Sequence, residues 1–196
     1  IFGIGTDAQS YATPRVVVAN VDTQGNLVTS FGDSGIAVID VGTDAGSELT
    51  VENYLVDAQG SFYILGIAGG ENYIAKLDNL GTLDASFATG GIYKFSNYFD
   101  DFVEIKHAFF DSNNRLVIFS QSSMSKVSYI SRLLLAESAG TLDLQFNGSG
   151  FQALDISTVA ELKDVQYHIN TDSFLLILQD TINKRISVAA IEITEQ

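Results

Sequence analysis

The sequence predicts an all-β protein made of about three and a half repeats of a four-stranded antiparallel sheet. Short runs rich in Val, Ile, Tyr and Phe are separated by Gly, Asn, Asp and Ser, which is the pattern of strands joined by tight turns. No stretch keeps an apolar face at helical spacing over the ~11 residues that a helix prediction needs. One motif also recurs at intervals of 56 and then 59 residues, and a period of this length indicates a repeat protein.

The recurring motif reads Asp-x-x-Gly-x-Leu and continues to a Phe and a second Gly. Its second copy aligns with the first without a gap in the alignment, and its third copy has Glu137 in place of the leading Asp. The shared positions are Asp22, Gly25, Leu27, Phe31 and Gly35, then Asp78, Gly81, Leu83, Phe87 and Gly91, then Gly140, Leu142, Phe146 and Gly150. Because order and spacing are kept, we expect each copy to build the same local structure.

A second motif lies about halfway between these copies and predicts a tight hairpin. Two β-runs flank a short turn that contains Gly60, Asn114 or Asp172 in successive copies. These three residue types best tolerate positive φ, which a tight two-strand connection requires.

Each repeat then resolves into four β-runs joined by short turns, which is typical of a β-propeller blade. We predict a single repeat domain over 1–196, with a partial blade at 1–42, full blades at 48–96 and 100–156, and a partial blade at 160–194. The sequence leaves open whether such a propeller is closed, incomplete or open.

The first motif resembles the repeat of the delta-60 family, a β-propeller domain of unknown function in bacterial surface and secreted proteins. The second copy matches the family pattern at Asp78, Gly81, Leu83, Asp84, Ser86, Phe87 and Gly91. The first copy has Val28 in place of the second Asp, and the third has Gln145 for Ser and Asn147 for Gly. The resemblance covers about 180 residues. It implies a propeller fold and a secreted or surface location, and it carries over no catalytic residue and no ligand.

Charge and composition exclude several classes of function. The chain contains ten Lys and Arg but 24 Asp and Glu. The resulting formal charge of −14 repels nucleic acid and anionic lipid. No apolar run reaches the ~18 residues of a membrane-spanning helix, so we predict no membrane insertion. The chain has no cysteine, which excludes disulfides, thiolate catalysis and cysteine-ligated metals. We predict no cofactor.

Carboxylates supply the candidate metal site. Asp40, Asp44 and Glu48 are spaced through a glycine-containing loop and offer the oxygen ligands that calcium prefers, although their spacing is not that of an EF-hand. Four other aspartates have an alternative use as side-chain acceptors in turns, namely Asp22, Asp57, Asp78 and Asp111.

The innermost strands of the predicted blades supply a second candidate site. Glu52, Lys106 and Asp164 occupy matching repeat positions there and would face a central channel together. Their mixed signs favour a solvated, salt-linked centre over an acid–base pair. The two histidines, His107 and His168, would need further ligands to hold a metal.

The recurring residues are all accounted for by turns and packing, which favours a non-catalytic scaffold of a bacterial secreted or surface protein. Such a scaffold would bind a protein or glycan partner through its loops, with Tyr98 and Phe99 as candidate contacts. The alternative is a carboxylate-dependent hydrolase or lyase with its site at the central channel. Incomplete blades at both ends allow two interpretations: a homodimer, because exposed strand edges readily add strands, or a piece of a longer repeat array.

Overall fold

The computed structural model describes residues 2–7, 13–42, 44–95, 103–135, 141–156, 160–168 and 170–192. Every regular element in these ranges is a β-strand, and all pairings are antiparallel, so the predicted all-β class is confirmed. No described segment forms a helix that is long and apolar enough to cross a membrane. The chain divides into two compact units, Ile1–Ser96 and Asn97–Gln196, which we call unit 1 and unit 2.

Unit 1 contains two sheets whose strands pair in chain order. The first sheet consists of β1 (Phe2–Asp7), β2 (Arg15–Asn20) and β3 (Ile36–Ile39). The second consists of β4 (Asn53–Val56), β5 (Phe62–Ala68), β6 (Glu71–Leu77) and β7 (Ile92–Phe95).

Unit 2 also contains two sheets. The first consists of β8 (Val103–Phe110), β9 (Leu116–Ser122), β10 (Ser128–Leu134), the short β11 (Thr141–Leu142) and β12 (Phe151–Ala153). Its order is β11-β10-β9-β8, and β12 also pairs with β10. The second sheet consists of β13 (Ala160–His168), β14 (Ser173–Asp180) and β15 (Ile186–Glu192).

In each unit the core lies between the two sheets. Val16, Val18 and Ile39 of the first sheet of unit 1 share one buried cluster with Phe62 and Ile64 of the second. The corresponding cluster of unit 2 is aromatic. Its Phe174 ring lies 4.9 Å from that of Phe119 and 4.8 Å from that of Tyr167.

The central strands differ in how many of their faces are buried. β5 and β9 are buried along their whole lengths, so both of their faces are covered. β14 alternates between buried and half-buried residues, as a strand with one covered face does.

The aspartates of both motifs close their turns. The Asp22 carboxylate accepts hydrogen bonds from the backbone N–H groups of residues 24 and 26, and the Asp78 carboxylate from those of residues 80 and 82, all at 2.8–2.9 Å. Asp57 and Asp111 repeat this arrangement in the second motif. The interpretation of these four aspartates as turn residues is therefore confirmed.

The glycine and leucine of the first motif recur together because they touch. Gly35, Gly91 and Gly150 all have positive φ. A Cβ atom on them would lie 2.7, 3.0 and 2.6 Å from the Cβ atoms of Leu27, Leu83 and Leu142 respectively. Each glycine also donates its N–H to the carbonyl of the motif phenylalanine at 2.8 Å, and Phe31, Phe87 and Phe146 are buried. Gly140 lies outside the described residues.

The second motif also adopts the predicted backbone. Gly60, Asn114 and Asp172 have φ values of +83°, +57° and +45°, as their turn position requires. In unit 1 the copies of the first motif contact each other as well. Gly81 approaches the Phe31 ring so closely that a Cβ atom would lie 2.8 Å from it.

Candidate functional site

A cavity of about 410 Å³ in unit 2 is the candidate site, and we call it the polar pocket. It lies where β8 and β13 begin and where β9 and β14 end. Its volume is within the range of pockets that hold small ligands. The lining residues are almost all polar and are Glu104, Lys106, Gln121, Ser122, Ser123, Lys126, Ala160, Glu161 and Thr181.

Two equivalent β-bulges shape one side of the pocket. The pairing of β8 with β9 shifts between Ile105 and His107, which leaves Lys106 as the extra residue. The pairing of β13 with β14 shifts between Leu162 and Asp164, which leaves Lys163 as the extra residue. A bulge re-aims the side chains around it, and bulges are common beside binding sites.

Each bulge carries an internal ion pair of the form Glu-x-Lys. The Lys106 Nζ atom lies 2.6 Å from Glu104 Oε2, and the Lys163 Nζ atom lies 2.7 Å from Glu161 Oε2. The hydrogen bond from Lys163 lowers the pKa of Glu161 against the opposing effect of partial burial, and the fields of Lys106 and Lys126 lower it further. Three of the chain's six lysines therefore act on this one carboxylate.

The floor of the pocket is buried and internally bonded. The Gln121 Nε2 atom lies 2.9 Å from the Ala160 carbonyl and 3.1 Å from both the Lys126 carbonyl and the Ser128 hydroxyl. The Ser122 N–H donates to the Val127 carbonyl at 2.9 Å. These bonds hold the 122–127 loop closed, and the loop presents the exposed Lys126 at a φ of +61°.

The structure distributes the predicted channel residues differently from the sequence interpretation. Lys106 lines the pocket, but its equivalent in the next repeat is Lys163 and not Asp164. The reason is that the hairpin between Tyr167 and Phe174 has one residue more than the hairpin between Phe110 and Leu116, which shifts the alignment by one. Glu52 belongs to unit 1, where its N–H donates to the Leu65 carbonyl.

The two histidines lie on equivalent strands without forming a metal site. The His107 Nε2 atom lies 3.9 Å from Asp164 Oδ1, and the His107 ring stacks on that of Phe109 at 6.3 Å. His168 is exposed at the end of β13. Across the described ranges no group of three His, Cys, Asp or Glu side chains is placed to hold a metal ion.

The three predicted calcium ligands do not come together in the structure. Asp40 accepts a hydrogen bond from the Gly42 N–H at 2.8 Å and forms an ion pair with Arg15. The Lys94 ammonium donates to the Gly42 carbonyl of the same loop at 2.8 Å. Asp44 and Glu48 are exposed, and the structure does not bring the three carboxylates together as ligands.

The predicted partner contacts Tyr98 and Phe99 lie outside the described residues. Sequence reasoning in turn missed Glu104, Lys126 and Glu161, which line the pocket, and Lys163, which pairs with Glu161. One signal for three of these residues was present, because Glu-x-Lys recurs 57 residues apart at 104–106 and 161–163.

Comparison of the chain with protein-family models, with curated proteins and with solved structures found no match in any of the three.

Proposed function

We propose that the chain is a non-catalytic β-propeller scaffold of a bacterial secreted or surface protein that binds a glycan through the polar pocket. The observation that carries the binding proposal is a pocket of small-ligand size lined by hydroxyl, amide and paired charged groups. Such groups both donate and accept hydrogen bonds, as recognition of a polyhydroxylated ligand requires. The secreted or surface location rests on the resemblance to delta-60 repeats.

Three features support the propeller architecture. The four sheets follow one another along the chain, and their strands pair mainly in chain order. Within each unit the two sheets pack face to face across a buried apolar cluster. In the described residues the three copies of the first motif share the same glycine-to-phenylalanine hydrogen bond, the same glycine contact and the same buried phenylalanine.

The chemistry of the pocket favours binding over turnover. A carboxylic acid that protonates a leaving group at neutral pH needs a raised pKa. The pKa of Glu161 is lowered by Lys163, which is the opposite of what a general acid needs and argues against the hydrolase or lyase alternative. Glu104 forms an ion pair with Lys106.

The test is a glycan array probed with the labelled chain, followed by analysis of each bound glycan after prolonged incubation. We expect saturable binding to at least one glycan and recovery of that glycan intact. Shortened or unsaturated products that disappear in the Glu161→Gln variant would overturn the proposal in favour of the enzyme. Binding to no glycan would overturn it in favour of a protein partner.

Self-association is a second candidate property, because β15 exposes apolar side chains on the sheet face opposite the core. Ile186 and Val188 are 73% and 62% exposed, and Val188 lies directly opposite the half-buried Ile177. A sheet of a second copy would cover this face. We expect sedimentation to show a dimer that Val188→Asp dissociates and that Ile182→Asp, which alters an exposed turn, leaves intact. A wild-type monomer at every concentration would contradict this property.

A further inference from the structure

We infer that the polar pocket selects a sugar that carries a single carboxylate, such as a uronic acid, and that Lys126 binds that carboxylate. This inference rests on the proposed function, because it names the class of glycan that the pocket takes. It comes from the charges around the pocket and from the absence of apolar rings among its described lining residues.

Of the three lysines at and beside the pocket, Lys126 is the one whose ammonium group can bind a ligand. Lys106 and Lys163 are each held within 2.7 Å of a glutamate on their own strand. Lys126 is exposed, and in the described part of the chain no carboxylate lies within 4 Å of its ammonium group. The charged residues that line the pocket are two lysines and two glutamates. Glu104 is paired with Lys106, and Glu161 is paired with Lys163, which lies outside the lining, so the charge of Lys126 is the one that these two ion pairs leave unmatched.

The remaining lining groups suit hydroxyls. Glu104 and Glu161 keep oxygen lone pairs beyond their lysine bonds, since a carboxylate has about four acceptor positions. Ser123 and Thr181 add hydroxyl groups at the rim. No described lining residue is aromatic, so the pocket offers no stacking platform for a neutral sugar ring.

The same charges limit how much negative charge the ligand carries. One carboxylate is matched by Lys126, whereas a phosphate dianion or a polyanion would also meet Glu104 and Glu161 and the acidic field of the whole chain. The geometry therefore points to a monoanion with several hydroxyl groups. Attraction between exposed charges weakens as salt screens it, so affinity should fall as ionic strength rises.

The experiment is calorimetric titration with sodium D-glucuronate, with D-glucose as the neutral sugar and sodium acetate as the carboxylate without hydroxyls. The variant is Lys126→Gln. The matched control is Lys184→Gln, because Lys184 is also exposed, has a nearly equal φ of +57° and lies in the corresponding turn between β14 and β15. Circular dichroism checks that both variants keep the wild-type fold.

We expect glucuronate to bind at least about tenfold more tightly than glucose or acetate, which corresponds to about 1.4 kcal/mol. Lys126→Gln should remove that preference, and Lys184→Gln should keep it. Equal affinity for glucuronate and glucose, or equal effects of the two substitutions, would overturn the inference. Array binding to neutral glycans alone would also overturn it and leave the proposed function standing, whereas binding to no glycan would overturn both.

Discussion

The Asp143 carboxylate accepts a hydrogen bond from the guanidinium of Arg132 at 2.6 Å, and both side chains are buried. The preceding repeat has an equivalent pair, in which the Lys76 Nζ atom lies 2.7 Å from Asp84 Oδ2. The backbone shows the equivalence, because the N–H of each aspartate donates to the carbonyl of its cationic partner at 2.8–2.9 Å.

The first repeat keeps this backbone bond and lacks both charges. There the Val28 N–H donates to the Asn20 carbonyl at 2.8 Å. A buried carboxylate without its cation is strongly destabilising, and so is the cation without its carboxylate. A repeat therefore contains both the cation and the aspartate or neither of them. The first repeat has Asn20 at the cationic position, and this accounts for Val28 in place of the motif aspartate.

Replacing Lys76 and Asp84 of the second repeat with Asn and Val, which are the residues of the first repeat at these positions, tests this coupling. We expect Lys76→Asn and Asp84→Val each to destabilise the chain by about 1–3 kcal/mol, since each leaves one partly buried charge unpaired. The double variant should be less destabilised than the sum of the two by at least about 0.5 kcal/mol. Urea unfolding of the four proteins measures the coupling, and additive effects would contradict it.

The turn chemistry of the fold was predictable from the sequence. Asp57 and Asn114 lie at positions that a tight hairpin demands, and this constraint is local. The buried pair of Arg132 and Asp143 was not predictable, because its cationic position holds Asn20, Lys76 and Arg132 in successive repeats. The three residues share no side-chain chemistry, so only the backbone bonds reveal that they are equivalent.

The polar pocket depends on details that the repeat period conceals. A single added residue in the hairpin before Phe174 shifts the alignment, so that matching by spacing selects Asp164 where the structure places Lys163. The bulges at Lys106 and Lys163 do interrupt the apolar alternation by one residue, between Ile105 and Ala108 and between Leu162 and Val165, but this interruption alone does not show that the two strands border one pocket. The electrostatic effect of Lys126 on Glu161 also links residues of two separate sheets, and a local pattern carries no information on such an arrangement.

The contact of Gly150 with Leu142 predicts a large difference between two neighbouring glycines. Gly148 and Gly150 both have positive φ, but a Cβ atom would meet nothing within 4 Å at Gly148 and would lie 2.6 Å from Leu142 Cβ at Gly150. We expect Gly148→Ala to cost about 1 kcal/mol of backbone strain. Gly150→Ala should cost at least about 1 kcal/mol more, because the contact is overpacked. Equal unfolding midpoints for the two variants would show that the contact is unimportant.

Calcium should leave the stability of the chain unchanged. Asp40 is occupied by Arg15 and by the Gly42 N–H, and the structure does not gather Asp44 and Glu48 around it. An ion that binds the folded state alone would raise the melting temperature. We therefore expect the same melting temperature with millimolar calcium and with chelator. A rise with calcium that Asp44→Asn abolishes would restore the calcium site predicted from the sequence.

The low pKa of Asp84 predicts a specific loss of stability in acid. Hydrogen bonds from Lys76 and from the Ser86 hydroxyl lower the pKa of this carboxyl from 3.8 to about 2, against the opposing effect of partial burial. A carboxyl whose pKa is lower in the folded state stabilises the fold above its unfolded pKa. That contribution, about 1–2 kcal/mol after allowance for solvent screening, is then lost as the pH falls from 3.8 towards 2.

Urea unfolding of wild type and of Asp84→Asn at a series of pH values isolates this contribution. We expect the variant to be less stable at neutral pH and the gap between the two proteins to close as the pH falls from 3.8 to 2, because the wild-type carboxyl becomes protonated there. Asp44→Asn is the matched control, since Asp44 is exposed and forms no ion pair with any described residue. A gap that stays constant down to pH 2 would mean that Asp84 stabilises the fold through its shape and not through its charge.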